Sequence, residues 1–428
     1  MTQILRRIIA ENRAGRCAAI PSVCSAHPAV IEASLRLAKS LDAPIVIEAT
    51  SNQVNQDGGY TGMTAPDFIS FVSGIAQSAG AAPQRIVFGG DHLGPQAWRA
   101  QPAAAAMEKA RDLVASYAAA GFTKLHLDCS EGCAGEAAQL PDELTAQRSA
   151  DLAAVALRAA PNPDDLIFVI GTEVPPPGGA RADEGGDIPA TTPAAAQATL
   201  AAHRAAFEAA GIGAAWPQIG GLVVQPGVEF SPTHVHHLPL QRDPMVLSAL
   251  QVEPHICLEA HSTDYQDPAA YPRLAQLGFA FQKVGPALTF AWREALYALD
   301  TLRAQHGSQR GPSLPDVMEA LMLAEPKYWQ GHYPSDAANL PSLLHFGLAD
   351  RVRYFWPHPQ ADAAVAALFA DLGGISLPDA VILQHFTQSE LASARQSSQS
   401  LPCALALGRV QSALRPYFFS PAPSAQPI

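Results

Sequence analysis

Apolar and polar positions alternate along this chain with two different periodicities. Short apolar runs rich in β-branched residues, which predict buried strands, alternate with longer stretches in which alanine and leucine recur at helical spacing. The predicted strands are Ala18–Ala26, Pro44–Thr50, Arg85–Gly90, Lys124–Cys129, Leu166–Thr172, Leu222–Gln225, His255–Ala260 and Ala280–Val284. The predicted helices between them include Pro28–Lys39, Ala103–Ala119, Ala146–Ala159 and Pro193–Ala210, the last with Thr192 as its N-cap.

Eight strands alternating with helices predict an α/β fold, a (β/α)₈ barrel of the TIM type, over residues 1–305. A doubly wound sheet is the alternative. That fold would bind a dinucleotide through a G-x-G-x-x-G turn after the first strand, and no such pattern follows it here. The barrel is therefore the favoured architecture.

The character of the sequence changes after the eighth strand and its helix. A Gly/Pro/Ser-rich linker at Gly307–Pro315 precedes three further helical patterns, at Asp316–Ala324, Ala361–Asp371 and Ser389–Arg395. We therefore expect residues 306–428 to form a helical extension that packs on the barrel, with a disordered tail near 420–428. The aromatic and basic run Arg351–His358 either folds back over the barrel or belongs to the ordinary packing of the extension.

Composition excludes several classes of function. A net charge of −12 argues against binding to nucleic acid or to an anionic membrane, since both need a basic surface. Six cysteines without framework spacing indicate reduced thiols. The amino-terminal segment lacks the apolar region of a signal peptide, and no uncharged apolar run is long enough to span a membrane. We expect a cytoplasmic protein.

Acidic and imidazole side chains follow nearly every predicted strand. The most informative segment is Arg85–Gly94, where an apolar strand ends in Gly-Gly and then in Asp91 and His92. Glu48, Asp128 and Glu259 occupy similar positions on other strands. Because the carboxyl ends of barrel strands meet at one mouth, these groups are expected to converge on an active site.

Inward-facing carboxylates and imidazoles would be costly to bury unless a cation offsets them, and a divalent metal does so. A mixture of histidine and carboxylate ligands suits ions of the Zn²⁺ or Mn²⁺ type. We predict His92, Glu173 and His261 as ligands, with Glu259 or Asp91 as a fourth ligand or a supporting group. Strand parity also places His126, Asp128 and Ser130 on one shared face.

Several motifs resemble the GatZ/KbaZ family of tagatose-bisphosphate aldolase subunits. They are Ala14–His27, Ile47–Gln56, Gly89–Pro95, His126–Asp128, Gly171–Pro175 and Arg351–Pro357, and together they span almost the whole chain. The resemblance implies a barrel that acts on tagatose-type sugar phosphates. It leaves two functions open, a metal-using 4-epimerase or a non-catalytic subunit that stabilises a separate class II aldolase chain. Kinase activity, also attributed to members, is disfavoured because the chain has no G-x-x-x-x-G-K-[ST] loop.

The chemistry favours a 4-epimerase that interconverts D-tagatose 6-phosphate and D-fructose 6-phosphate. C4 of a 2-ketose is not α to the carbonyl, so its inversion requires cleavage and re-formation of the C3–C4 bond, with a metal and with acid–base groups. We assign those acid–base roles to Glu48, Asp91 and Asp128. We expect a sugar phosphate as substrate and a homo-oligomeric enzyme.

Barrels commonly hold phosphate with the loops after strands seven and eight. The residues expected to contact the substrate or its phosphate are Asn52, Ser262, Thr263, Lys283, Gly285 and, from the extension, Arg353.

Overall fold

The computed structural model describes residues 2–172, 188–333 and 338–419. The strands are β1 (Ile20–Cys24), β2 (Ile45–Thr50), β3 (Ile86–Leu93), β4 (Lys124–Leu127), β5 (Ile167–Ile170), β6 (Ile219–Val223), β7 (Glu229–Phe230), β8 (Val235–His236), β9 (Cys257–Ala260) and β10 (Phe279–Val284). Eight of them are parallel and close into a barrel in the order β1-β2-β3-β4-β5-β6-β9-β10. The antiparallel pair β7-β8 is separate and lies between the sixth and seventh barrel strands along the chain. The predicted (β/α)₈ barrel is confirmed.

Two strands differ from the prediction, and the difference in β3 affects the site. β6 begins at Ile219, before the predicted start at Leu222. β3 continues beyond Gly90 as far as Leu93, so Asp91 and His92 lie inside the strand instead of after it. The register of β3 against β4 shifts between Gly90 and Leu93. His92 lies within this irregularity with a φ of 47°, and such a bulge redirects side chains at the end of a strand.

Helices surround the barrel, and one closes its amino-terminal end. They are α1 (Thr2–Arg13), α2 (Pro28–Ser40), α3 (Ala65–Ala79), α4 (Ala103–Ala120), α5 (Asp142–Ala159), α6 (Pro193–Ala209), α7 (Ala270–Gln276) and α8 (Pro286–Gln305). Ile8 and Ile9 of α1 pack into the same buried cluster as Val46, Val87 and Ile167 of the strands. Because apolar side chains fill this end of the barrel, polar chemistry is restricted to the opposite end.

The carboxyl-terminal portion is helical, as expected. Its helices are α9 (Leu314–Ala324), α10 (Leu340–Phe346), α11 (Pro359–Gly373), α12 (Asp379–Ile382), α13 (Gln388–Arg395) and α14 (Leu401–Leu414). α14 packs against both α2 and α8. The proposed tail 420–428 lies outside the described residues. Within the part of the chain that the structure describes, no helix is both long and apolar enough to cross a membrane.

Candidate active site

A cavity of about 620 Å³ lies between the carboxyl ends of the barrel strands and the carboxyl-terminal portion. Acidic, imidazole and ammonium groups line it on the barrel side, and aromatic and basic groups line it on the other side. From the barrel and its loops come Cys24, His27, Thr50, Asn52, Tyr60, Asp91, His92, His261, Ser262, Asp264, Lys283 and Gly285. From the carboxyl-terminal portion come Arg353, Tyr354, Trp356 and Asp362.

Three buried histidines form a triangle at the barrel end of this cavity. His92 belongs to β3, His126 to β4, and His261 follows β9. Their ring centroids are 4.9 Å apart for His92 and His126, 5.2 Å for His92 and His261, and 5.0 Å for His126 and His261. The predicted ligands His92 and His261 thus lie side by side. His126, which the sequence prediction does not include among the ligands, completes the triangle.

Two groups of ligand atoms share His126, and each fits within 4.8 Å. One group comprises Asp91, His92 and His126, and the other comprises His126, Glu259 and His261. His126 Nδ1 lies 3.1 Å both from the backbone N of His92 and from Lys283 Nζ, and its Nε2 is buried without a hydrogen-bond partner among the described residues. Nitrogen and carboxylate donors at this spacing fit a divalent metal of the zinc or manganese type.

A carboxylate behind His92 fixes the orientation of its ring. Asp128 Oδ2 lies 2.6 Å from His92 Nδ1, while Asp128 Oδ1 accepts hydrogen bonds from the backbone N–H and the hydroxyl of Ser130. This pairing leaves His92 Nε2 directed away from Asp128, as in metal sites where a carboxylate holds a histidine ligand in one tautomer. Burial opposes the charge on Asp128, but His92 outweighs it and lowers the pKa of the carboxyl.

Neutral imidazoles are the form that binds a metal. Burial, and next the nearby ammonium group of Lys283, lower the pKa of His126 to about 4 and the pKa of His261 well below its ordinary value. Burial also acts against the charged form of His92, but Asp91 and Asp128 outweigh it and raise the pKa of that ring.

Two lysines and three carboxylates form a buried charge network beneath the histidines. Lys124 Nζ lies 2.6 Å from Glu48 Oε1 and 2.6 Å from Glu259 Oε2. Lys283 Nζ lies 3.2 Å from Glu259 Oε1 and also contacts Asp91 Oδ1. With Asp128, four carboxylates face two ammonium groups, and a divalent cation would balance the two formal negative charges left over.

The three predicted acid–base carboxylates differ in their access to the cavity. Asp91 lines the cavity and accepts a hydrogen bond from the Thr50 hydroxyl at 2.9 Å. Of the described cavity-lining residues, none is Glu48 or Asp128, because Glu48 is held by Lys124 and Asp128 lies behind His92. The predicted ligand Glu173 lies outside the described residues.

The predicted phosphate-contacting residues are also divided. Ser262 lines the cavity, whereas the Thr263 hydroxyl donates to the Lys283 carbonyl oxygen at 2.6 Å. The backbone N–H of Gly285 donates to Asp264 Oδ1 at 3.0 Å, and so does that of Ala287, at 2.8 Å. Asp264 therefore already occupies the amino-terminal end of α8. Burial raises the pKa of this carboxyl to about 6.

Among the residues that the sequence prediction did not assign to the site are the buried His126 and the cavity-lining Asp264 and Tyr354. The alternation His126-x-Asp128 was the available signal for the first, since both side chains share one face of β4. Asp264 follows His261 in a loop whose path the strand pattern does not define. Tyr354 belongs to a run for which packing was an equally good explanation.

Comparison with known proteins agrees with this geometry. Residues 5–421 match the family model described as D-tagatose-1,6-bisphosphate aldolase subunit GatZ/KbaZ-like. A D-tagatose 6-phosphate 4-epimerase of Agrobacterium fabrum (strain C58) is 45% identical over 398 residues, which cover 92% of this chain and 93% of that protein.

A solved structure is similar over the same extent. The crystal structure of a probable tagatose 6 phosphate kinase from Sinorhizobium meliloti 1021 has a TM-score of 0.84 and 46% identity, covering 94% of this chain and 99% of that one. On the strength of the family model and of this identity over nearly the full length, the chain belongs to the GatZ/KbaZ-like family of D-tagatose-1,6-bisphosphate aldolase subunits.

Proposed function

We propose that this protein is an isomerase, a D-tagatose 6-phosphate 4-epimerase that produces D-fructose 6-phosphate. The relative at 45% identity carries that name and is matched over nearly its whole length. The observation that carries the proposal is the triangle of buried histidines beside carboxylates at the end of a sugar-sized cavity. The absence of a G-x-x-x-x-G-K-[ST] loop argues against kinase activity for this chain.

The reaction inverts a carbon that is not adjacent to the carbonyl. A base removes the C4 hydroxyl proton, the C3–C4 bond breaks, and its electron pair passes to C3 and the C2 oxygen as an enolate. The three-carbon aldehyde then rotates so that its opposite face meets C3. The C3–C4 bond re-forms on that face, and a proton returns to the C4 oxygen. Starting material and product thus have the same atoms and charge.

His92, His126 and His261, with Glu259 as the fourth ligand, would hold the divalent metal, which we assign to the zinc or manganese type. Glu173 stays a predicted further ligand. When bound, such an ion polarises the C2 carbonyl and stabilises negative charge on its oxygen. Asp128 then acts as a positioning residue, because it fixes the ring of His92.

Asp91 is the carboxylate best placed to accept the C4 hydroxyl proton, because it reaches the cavity and is oriented by Thr50 and Lys283. Inversion needs a second proton-transfer group on the other side of the substrate. Asp264 lines the same cavity from the loop after β9, which stands opposite β3 in the eight-stranded ring. Its pKa of about 6 suits exchange of a proton near neutral pH. In this proposal Glu48 holds Lys124 instead of transferring protons.

A single assay tests the function. The purified chain alone, supplied with D-tagatose 6-phosphate and either Zn²⁺ or Mn²⁺, is expected to form D-fructose 6-phosphate, detected by coupled reduction of NADP⁺. Chelator should abolish the reaction, and the matching metal should restore it.

The family description favours a second function, that of a non-catalytic subunit stabilising a class II aldolase chain. A parallel assay supplies tagatose 1,6-bisphosphate with and without such a chain. If this protein forms no D-fructose 6-phosphate from D-tagatose 6-phosphate but increases the yield of triose phosphates from the aldolase chain, the epimerase proposal is wrong and the subunit function replaces it.

A further inference from the structure

Two arginines of the carboxyl-terminal portion lie beside the cavity without a carboxylate partner. They belong to the short helical turn Arg351–Phe355, whose Arg353 lines the cavity while Arg351 is buried behind it. Arg351 Nε donates to the Tyr328 carbonyl oxygen, and Arg353 Nη1 donates to the carbonyl oxygens of Ala349 and Asp350. Within the described ranges, neither guanidinium lies within ion-pair distance of a carboxylate, and Asp350 and Asp264 interact with Arg353 only from farther away. Buried cations without a directly contacting anion are costly, so the site is suited to an anionic ligand.

Aromatic rings hold these cations in place and add hydrogen-bonding groups. Tyr354 lies with its ring 4.4 Å from the Arg351 guanidinium carbon and 4.6 Å from that of Arg353. Its hydroxyl accepts a hydrogen bond from Arg353 Nη2 at 3.1 Å. Tyr60, from the loop after β2, packs edge-on against the same ring at 4.7 Å, and Asn52 of that loop also lines the cavity. A guanidinium fixed beside hydroxyl and amide groups is an arrangement suited to phosphate.

The position that barrels commonly use for phosphate is already filled. Asp264 accepts the backbone N–H groups of Gly285 and Ala287, so a phosphate there would have to displace a carboxylate of the chain itself. Lys283, on the strand that leads into α8, is engaged by Asp91 and Glu259. Neither the amino-terminal end of α8 nor Lys283 is therefore available to a phosphate dianion.

We infer that Arg353, Tyr354, Tyr60 and Asn52 form the subsite for the phosphate monoester of the substrate. The sugar then spans the cavity, with its carbonyl end at the histidines and its C6 phosphate at the carboxyl-terminal portion. This portion completes the active site instead of merely covering it. The identity of the sugar rests on the proposed function, but the binding of a phosphate anion at these four residues does not.

Calorimetric titration with inorganic phosphate tests the subsite without depending on turnover. Arg353→Gln is expected to weaken phosphate binding by about 10- to 100-fold, because a charge-assisted contact is lost. Arg310→Gln, which removes the same charge at an exposed position outside the cavity, should bind phosphate like the wild type. Equal phosphate affinity in Arg353→Gln and the wild type would overturn the inference.

Tyr354→Phe gives a second test that keeps Arg353 in place. Burial opposes ionisation of Tyr354, but Arg351 and Arg353 outweigh it and lower the pKa of the phenol to about 8. The groups facing it are Arg351 and Arg353 on its own turn, with Tyr60 and Tyr328 from neighbouring segments. Above pH 8 the phenolate would repel a dianion, so wild-type phosphate affinity should fall by about tenfold per pH unit.

Tyr354→Phe lacks this ionisation, so its phosphate affinity should be about three- to tenfold weaker at pH 7 and then constant between pH 8 and pH 9.5. A Tyr354→Phe affinity equal to that of the wild type at pH 7 would contradict the inference that this hydroxyl belongs to the subsite. Enzyme kinetics separate the two proposals. If wild type forms fructose 6-phosphate and Arg353→Gln raises KM equally for tagatose 6-phosphate and free tagatose, the epimerase function stands and the phosphate subsite is wrong.

Discussion

At the scale of single residues, the histidine triangle depends on groups that fix each ring from behind. His92 adopts a left-handed backbone conformation with a φ of 47°, which is uncommon for any residue but glycine and frequent at functional sites. Asp128 then holds its Nδ1 at 2.6 Å, and Glu259 Oε1 lies 2.9 Å from His261 Nε2. The backbone N–H of His92 donates to His126 Nδ1 at 3.1 Å. His126 belongs to both candidate groups of ligand atoms, so its removal should affect a bound cation most directly.

Metal affinity is expected to fall in a graded order among variants of this cluster. His126→Gln removes a ligand and should weaken Zn²⁺ binding by more than the roughly 10- to 100-fold that we expect for Asp128→Asn, since Asp128 acts through His92. His203→Gln serves as the control, because His203 is equally buried but lies in α6 with its Nδ1 near the Thr199 carbonyl oxygen. Competition with a fluorescent chelator measures all three. Wild-type affinity in His126→Gln would remove this residue from the site.

At the scale of elements, β3 brings its neighbours close together because Gly89 and Gly90, just before Asp91, have no side chains. A methyl group on Gly89 would lie 2.7 Å from both Cγ and Oε1 of Glu48, and one on Gly90 would lie 2.6 Å from Leu93 Cδ1. Glu48 cannot retreat easily, because its carboxylate is bonded to Lys124 in the barrel interior. The Gly-Gly pair therefore makes room for the buried charge network and for the bulge that turns His92.

Two glycine-to-alanine changes should shift stability in opposite directions. Gly89→Ala is expected to lower the free energy of unfolding by about 1–3 kcal/mol through overpacking. Gly74→Ala, on an exposed turn of α3 with open space around it, should raise that free energy by about 1 kcal/mol, since alanine is the better helix former. Urea denaturation of both variants measures the change. A Gly89→Ala protein as stable as the wild type would show that Glu48 can move without cost.

The strand pattern was enough to predict the barrel, because each buried strand shows a local apolar run and polar residues follow it. It could not show that β3 extends to Leu93, since a bulge depends on how two strands pair. For the same reason it could not show that His126 meets His92, or that Asp264 bonds to the start of α8. Lys283 was predicted to bind phosphate from its position on the last strand, and only the three-dimensional arrangement reveals the carboxylates that engage it.

At the scale of the whole molecule, the carboxyl-terminal portion shares one hydrophobic core with the barrel. Leu405 and Leu414 of α14 belong to the same buried cluster as Val30 of α2 and Leu296 of α8. The sequence predicted helices in this portion from their periodicity. It did not indicate their docking sites, because contacts between residues far apart in sequence leave no local pattern. The division between residues 305 and 306 stays a prediction, and the continuous core argues that the two parts unfold together.

Tyr417, just after α14, provides the contact on which this expectation can be tested. Its hydroxyl donates to the Thr263 carbonyl oxygen at 3.0 Å, in the loop after β9, and its ring lies 4.0 Å from that of Tyr271. Tyr417→Phe leaves a buried carbonyl without this bond, which should cost about 1–3 kcal/mol.

Because the core is shared, that loss should lower the stability of the barrel and of the carboxyl-terminal portion by the same amount. Hydrogen exchange along a urea titration, read by mass spectrometry, can follow peptides from α14 and from α4 separately. In both the wild type and Tyr417→Phe, the two peptides should lose protection at one urea concentration, and that concentration should be lower in the variant. Loss of protection in α14 alone, while α4 stays protected, would instead show that residues 306–428 form a unit that unfolds independently of the barrel.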